Sequence, residues 1–186
     1  MLTYTTSATE KDLQGIKDLQ KNNLPANLTA EEIFSQGFVT VNHSLEDLKK
    51  LNDIEHHIIC RDNEKVVAYL LAMTAASKND IPVLIPMFRA FEKVIYKGKP
   101  LADYNYIVVG QVCVDKYYRG QGVLDKCYGK YRECFKDRFD FAITEIAARN
   151  IRSINAHKRI GFTEAHKYTS PDMEEWSIVI WEWQEG

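Results

Sequence analysis

The stretch Val112-Cys113-Val114-Asp115-Lys116-Tyr117-Tyr118-Arg119-Gly120-Gln121-Gly122-Val123 decides the reading of this chain. An apolar run gives way to a charged segment, a glycine-bearing turn and the start of an amphipathic segment, the order strand, tight turn, helix. Glycine tolerates positive φ and lets the backbone come close to a ligand. The first turn of a helix presents unpaired N–H groups at the positive end of its dipole. Together these make a cradle for an anion such as a pyrophosphate, with Arg119 available for a charge-assisted contact. The alternative is a plain connecting turn. Neither the GxxxxGK[ST] phosphate loop nor the GxGxxG dinucleotide pattern is present, since Val123 and Leu124 follow Gly122.

Working outward, Tyr106 to Val114 reads as one strand. Downstream come a helix from about Val123 to Asp137, a strand from Phe139 to Ile146, and a helix from Asn150 to Ile160 closed by Gly161. Phe162 to Lys167 and Trp176 to Trp183 read as two further strands. Upstream, Leu2 to Thr6 is a short strand, and three helix starts follow. They are marked by Ser7 with Glu10 or Thr9 with Asp12, then Thr29 with Glu32, then Ser44 with Asp47. A short strand is expected at Phe38 to Val41. A hairpin is expected from His57 to Arg61 and Lys65 to Thr74. Between Pro86 and Pro100, the spacing of Phe88, Phe91, Val94 and Ile95 predicts a short amphipathic helix. The sum is one α+β domain, residues 1–186, with a mixed, mostly antiparallel central sheet flanked by helices.

The 186 residues suffice for one domain with a substantial core. A net charge of −2 offers no general attraction to nucleic acid or to an anionic membrane. Met1 to Gln14 lacks the apolar run of a signal peptide, and no segment approaches the roughly 20 apolar residues of a membrane span. A soluble, cytoplasmic protein is expected. Cys60, Cys113, Cys127 and Cys134 show no CxxC spacing and no disulfide framework, so reduced thiols are expected. His56 and His57, adjacent on an expected strand, would point to opposite faces, and no metal site is expected.

A second stretch carries chemistry: Asn150-Ile151-Arg152-Ser153-Ile154-Asn155-Ala156-His157-Lys158-Arg159-Ile160-Gly161-Phe162. Asn150 and Ser153 can cap the helix or meet a polar ligand, and His157 lies one turn beyond Ser153 on the same face. The two stretches together resemble the coenzyme A-binding core of the GNAT superfamily of N-acetyltransferases. Arg119 and Gly122 match the first and fourth positions of that superfamily's Arg/Gln-x-x-Gly-x-Gly/Ala turn, whose last position here is Leu124. Asn150, Ser153, Gly161 and Phe162 match the second motif in register, with His157 where a tyrosine is usual. The specific resemblance covers about 106–162, and the other elements are similar in order to the rest of that fold.

The resemblance implies an enzyme that moves an acetyl group from acetyl-CoA, its cosubstrate, to an amine by direct transfer. It implies that the backbone of Val112, Cys113 and Val114 binds the pantetheine arm. The amides of Arg119, Gly120, Gln121, Gly122, Val123 and Leu124 would hold the pyrophosphate. Asn150, Ser153 and His157 would complete the coenzyme site, and Arg149, Arg152 and Lys158 are candidates for the outer phosphates. A lysine-like amine, with a pKa near 10.4, is neutral about once in 2,500 molecules at pH 7, a cost of about 4.6 kcal/mol. A base is therefore useful, whereas the departing thiol, near 8.5, needs an acid less. Glu145, a carboxylate in the apolar run Ile143-Thr144-Glu145-Ile146, is the candidate base. Its alternative is a structural pair with Arg149 or Arg152. His157 is the candidate acid, and its alternative is packing.

The acceptor is expected to be a small-molecule or peptide amine. Asp172, Glu174 and Glu175, and the aromatic residues Phe88, Phe91, Tyr104 and Tyr106, are candidates to border its site. The alternatives are a commonplace charged loop for the acidic residues and core packing, which explains the aromatic residues at least as well. The strand with Trp176, Trp181 and Trp183 suggests an edge for a homodimer. Two rival readings stand: a non-catalytic acyl-CoA-binding module of the same fold, and an acyltransferase with another acyl donor or a hydroxyl acceptor.

Overall fold

Three capping boxes start the first three helices. Thr9, Thr29 and Ser44 each accept the N–H of the residue three positions on, and Asp12, Glu32 and Asp47 return the bond. They open α1 (Glu10–Asn22), α2 (Ala30–Gln36) and α3 (Leu45–Ile54) after strand β1 (Leu2–Thr6). The remaining elements are β2 (Ile58–Asp62), β3 (Lys65–Met73), α4 (Ile85–Phe91), β4 (Ile95–Tyr96), β5 (Lys99–Pro100), β6 (Tyr106–Val114), α5 (Val123–Phe135), β7 (Phe141–Ala147), α6 (Ile151–Ile160), β8 (Thr163–Thr169) and β9 (Glu175–Glu182). This computed structural model describes residues 1–183. Gln184 to Gly186, the end of the expected 1–186 domain, lie outside the described residues.

Seven strands hydrogen-bond in the order β1-β2-β3-β6-β7-β9-β8. The β1/β2, β2/β3, β7/β9 and β8/β9 pairs are antiparallel and the β6/β7 pair is parallel. With six flanking α-helices, this is the expected α+β architecture with a mostly antiparallel sheet.

The chain forms two compact units. In the first, Met1–Met73 with Val109–Cys134, β3 is buried from Val66 to Met73, as a strand covered on both faces must be. Leu13, Ile16 and Leu19 of α1 and Leu48 and Leu51 of α3 are buried in the same unit, each contributing about 1.5–3 kcal/mol. The N–H of Asp115 donates to Val67 O at 2.8 Å, so the end of β6 lies beside the start of β3. Met73 lies across Gly110, where a Cβ would come within 2.1 Å of its Cε.

In the second unit, Thr74–Val108 with the chain from Phe135 onward, three residue pairs join β6 and β7, Tyr106↔Phe141 to Val108↔Ile143. Tyr106 stacks on Phe141 at 6.3 Å and meets Phe91 edge-on at 6.1 Å. The edge strand β8 is largely exposed and is bulged between Glu164 and His166, a device that blunts an open edge.

Three expectations are corrected. Residues 38–41 form no strand: Val39 N–H donates to Asn23 O at 3.1 Å, and Val41 O accepts from Gln111 Nε2 at 2.8 Å. Those groups find a helix end and a side chain instead of a ladder. The helix around Phe88 starts earlier, with Pro86 in its first turn where a missing N–H costs nothing, and it ends at Phe91. Ile95 belongs instead to the β4–β5 hairpin and is exposed. Finally, the tryptophan-bearing β9 is no edge, because β7 and β8 occupy both its sides. Among the described residues no helix is long and apolar enough to cross a membrane, and no group of three or more His, Cys, Asp or Glu is placed to hold a metal ion.

Candidate active site

The turn after β6 belongs to the first unit. From Val109 onward β6 alternates, with Val109, Gln111 and Cys113 buried and Gly110, Val112 and Val114 partly open. Burial pushes the Cys113 thiol up to about 12, so it holds no thiolate at neutral pH. Asp115 then caps a single 3₁₀ turn, accepting the Tyr117 N–H at 3.0 Å, and pairs with Lys65 at 2.8 Å. Gly120 and Gly122 follow at φ +72° and +73°, the left-handed region that other residues enter at a cost. A Cβ on either would meet nothing within 4 Å, so the backbone conformation demands glycine there and the turn is open. Gly120, Gln121 and Gly122 are exposed, Val123 is buried as α5 begins, and Leu124 is partly open.

Arg119 holds the protein beneath this turn. Its Nε donates to Val114 O at 2.9 Å, one terminal nitrogen to Asn23 Oδ1 at 2.7 Å, and the other to Gln36 Oε1 at 3.4 Å. Its charge remains beside the turn, but these three donors serve α1, α2 and β6. Neither partner side chain was visible to sequence reasoning: Asn23 and Gln36 lie 96 and 83 residues away along the chain.

The second unit places Glu145 on β7. Its carboxylate lies 2.5 Å from the Tyr168 hydroxyl, which donates to it. Burial raises the Glu145 pKa to about 7, and the bond from Tyr168 restrains the rise. Tyr168 itself is raised, by burial first and then by the Glu145 charge. Arg149 pairs with Glu174 at 2.9 Å. Tyr168 was missed in the sequence because β8 comes late in the chain. Only the β7/β9 and β9/β8 registers, with Glu145 opposite Ile178 and Tyr168 opposite Trp176, bring the two side chains together.

Asn150, Ser153 and His157 do assemble, on α6. Asn150 is its N-cap, its Oδ1 accepting the Ser153 N–H at 3.3 Å. His157 is 2% exposed, with Nδ1 2.7 Å from Ser153 O and 3.3 Å from Ser153 Oγ, and its ring meets Phe162 edge-on at 5.0 Å. A carbonyl oxygen only accepts, so Nδ1 carries the proton. Burial pushes the His157 pKa down to about 4, which leaves a neutral ring with Nε2 unprotonated at pH 7. An acid needs a proton aimed at the ligand, and the one here is committed to Ser153. The geometry favours the packing alternative.

The aromatic candidates for an acceptor wall are packed together: Phe88 meets Phe91 at 6.0 Å, and the Tyr104 hydroxyl donates to Tyr96 O at 2.9 Å. In the loop before β9, Asp172 accepts from Ser170 Oγ and Glu174 is paired with Arg149, so two of its charges have partners within the unit.

No protein-family model and no curated protein matches this sequence. Solved structures do match. An acetyltransferase of the GNAT family from Streptococcus agalactiae aligns with 99% of this chain and 96% of its own, at a TM-score of 0.68 and 8% identity. This is the GNAT fold. The ribosomal-protein-S18-alanine N-acetyltransferase of Escherichia coli aligns over 100% of this chain and 96% of its own, at TM-score 0.59 and 16% identity. A chain of the NatC complex, solved with Gag peptide and CoA, covers 98% of this chain and 99% of its own, at TM-score 0.66 and 13% identity. The GNAT fold here therefore extends over essentially the whole chain.

Proposed function

We propose that this protein transfers an acetyl group from acetyl-CoA to an amine, and that the acceptor is a peptide α-amine. The carrying observation is the turn after β6, where Gly120 and Gly122 stand at positive φ, exposed and uncrowded, immediately before α5. Such a turn aims backbone N–H groups and a helix dipole at one point, which is what a pyrophosphate needs. The solved GNAT-fold structure with bound CoA supports the same ligand.

Glu145 is the base in this reading. At a pKa of about 7 its carboxylate is half-charged at neutral pH, the range where a general base works best. The acceptor class follows from matching that value. Moving a proton from a lysine-like ammonium at about 10.4 to such a carboxylate is uphill by about 3.4 units, whereas from an α-ammonium at about 7.7–8.0 it is uphill by about one. The neutral amine then attacks the thioester carbonyl, the C–N bond forms, the C–S bond breaks and coenzyme A leaves as thiolate. The proton taken from the ammonium ends on Glu145, and the second nitrogen proton, released as the amide forms, passes to the departing thiolate to give the thiol. With Cys113 held as a thiol, no acyl-enzyme step enters this scheme, and proximity does the rest.

The test is calorimetric titration with acetyl-CoA, on wild type and on Gly122→Glu. Saturable binding that the glutamate abolishes supports the cradle, and acetylation of short peptides at the N-terminus in preference to lysine side chains supports the acceptor. A folded wild type that binds no acetyl-CoA ends the reading.

A further inference from the structure

We propose that Arg119 is a positioning strut that couples the glycine turn to residues 24–39, so that anion binding at the turn and order in that segment reinforce each other. The proposal takes its ligand from the coenzyme reading above. The guanidinium gathers three acceptors from three places: Val114 at the end of β6, Asn23 at the C-cap of α1, and Gln36 at the end of α2. Asn23 is 6% exposed, and its Nδ2 donates to Leu19 O at 2.9 Å, which fixes its Oδ1 for the guanidinium. The backbone oxygen of Asn23 accepts from Val39 N–H at 3.1 Å. One asparagine thus ties Arg119 to both ends of the α2 segment.

That segment needs tying. No side chain of α2 is buried, and Phe34 is 89% exposed. A helix with so little buried apolar surface belongs to the low-stability end of a fold. The surface pair Lys116–Glu32, 3.8 Å apart, adds little. The planar fork of Arg119 is the polar link that a lysine point charge cannot copy, because its three acceptors lie in different directions. A ligand that orders the turn therefore orders the strut, and the cost of ordering α2 is shared between them. The coupling is reciprocal: loosening α2 weakens the ligand by the same factor.

The experiment is hydrogen exchange across residues 24–39 with and without coenzyme A, paired with calorimetric affinity, for wild type, Arg119→Lys, Asn23→Ala and Asn23→Asp. Coenzyme A is expected to slow exchange there in wild type. Arg119→Lys and Asn23→Ala should each lose the slowing and bind coenzyme A about tenfold more weakly, as for a lost hydrogen bond to a charged group. Asn23→Asp keeps the acceptor for Arg119 but gives up the Nδ2 bond to Leu19 O, so it should recover both only in part, above Asn23→Ala. Wild-type affinity and slowing in Arg119→Lys would mean that the residue acts as a point charge on the ligand, and the strut falls. A silent Asn23→Ala also overturns it. If Arg119→Lys does not fold, the two Asn23 variants decide. If wild type binds no coenzyme A, the coenzyme reading fails by itself. The strut is then judged on the free proteins, where exchange in 24–39 must be faster in Arg119→Lys and Asn23→Ala than in wild type.

Discussion

Two turns in this protein lead from a strand into a helix, and they spend their backbone groups in opposite ways. The turn from β6 into α5 ends on Gly122, which has no side chain to cap the helix, and Gly120 and Gly122 are exposed at positive φ. The turn from β7 into α6 ends on Asn150, whose side chain takes the Ser153 N–H, and His157 takes the Ser153 carbonyl. In the function proposed above a ligand completes the first turn; the second is completed by the protein. Both resemble a coenzyme-binding motif in sequence, and only the first is the anion site of the proposed function. The charge at the first is backbone dipole that no pH removes. In the second unit charge is set by burial, which holds Glu145 half-ionised and His157 neutral.

The largest effect expected in the second unit is at Glu145. Glu145→Gln should lower kcat/KM by about 10²–10³-fold at neutral pH, the contribution of a general base. Coenzyme affinity should hold, since the proposed anion site is elsewhere in the chain. A variant that loses coenzyme binding in step with turnover would erase the distinction between the two turns.

Next in size is the response of stability to acid. His43, His57 and His157 are each pushed down from 6.5 to about 4 by burial. The folded state then binds fewer protons than the unfolded state between those values, so stability falls as pH drops below 6.5. Each contributes a slope of up to about 1.4 kcal/mol per pH unit. Glu145 has the opposite sign: its pKa is raised from 4.5 to about 7, so its stabilisation is present below 4.5 and is lost as pH rises through 7. Glu145→Gln should accordingly be more stable than wild type at pH 8, by about 2 kcal/mol after discounting for solvent reaching the carboxylate. Urea melts at pH 5, 6.5 and 8 measure both trends. An unchanged melt for the glutamine variant at pH 8 would contradict the buried-carboxylate account.

Smaller effects sharpen the contrast. Tyr168→Phe removes the hydrogen bond that restrains Glu145, so the acid limb of the kcat/KM profile should move to higher pH. A downward move would reverse the assigned role of the hydroxyl. Asn150→Ala should cost about 1 kcal/mol in a thermal or urea melt, the usual loss of a helix cap. A neutral substitution would show that α6 does not depend on its own cap.

Most strands and helices follow from local rules that act over a few residues. The three capping boxes, the glycine turn, the β6 run and the Gly161 cap each announce an element from a short local stretch of sequence. The expectations that failed lie where a segment's partners are remote. Residues 38–41 look like a strand by composition, but Asn23 and Gln111 claim their backbone groups. The tryptophan strand looks like an edge until β8 folds back on it.

The sequence by itself determined the α+β order of elements, the glycine turn at 119–124 and the candidacy of Glu145, because each rests on φ preference, periodicity or charge within one short stretch. Tertiary structure alone decided what those residues touch. Folding put Tyr168 on Glu145, turned Arg119 onto Asn23 and Gln36, and sealed His157 against Phe162. Hydrogen-bond partners and burial depend on chain segments brought together from far apart, and they set pKa and role.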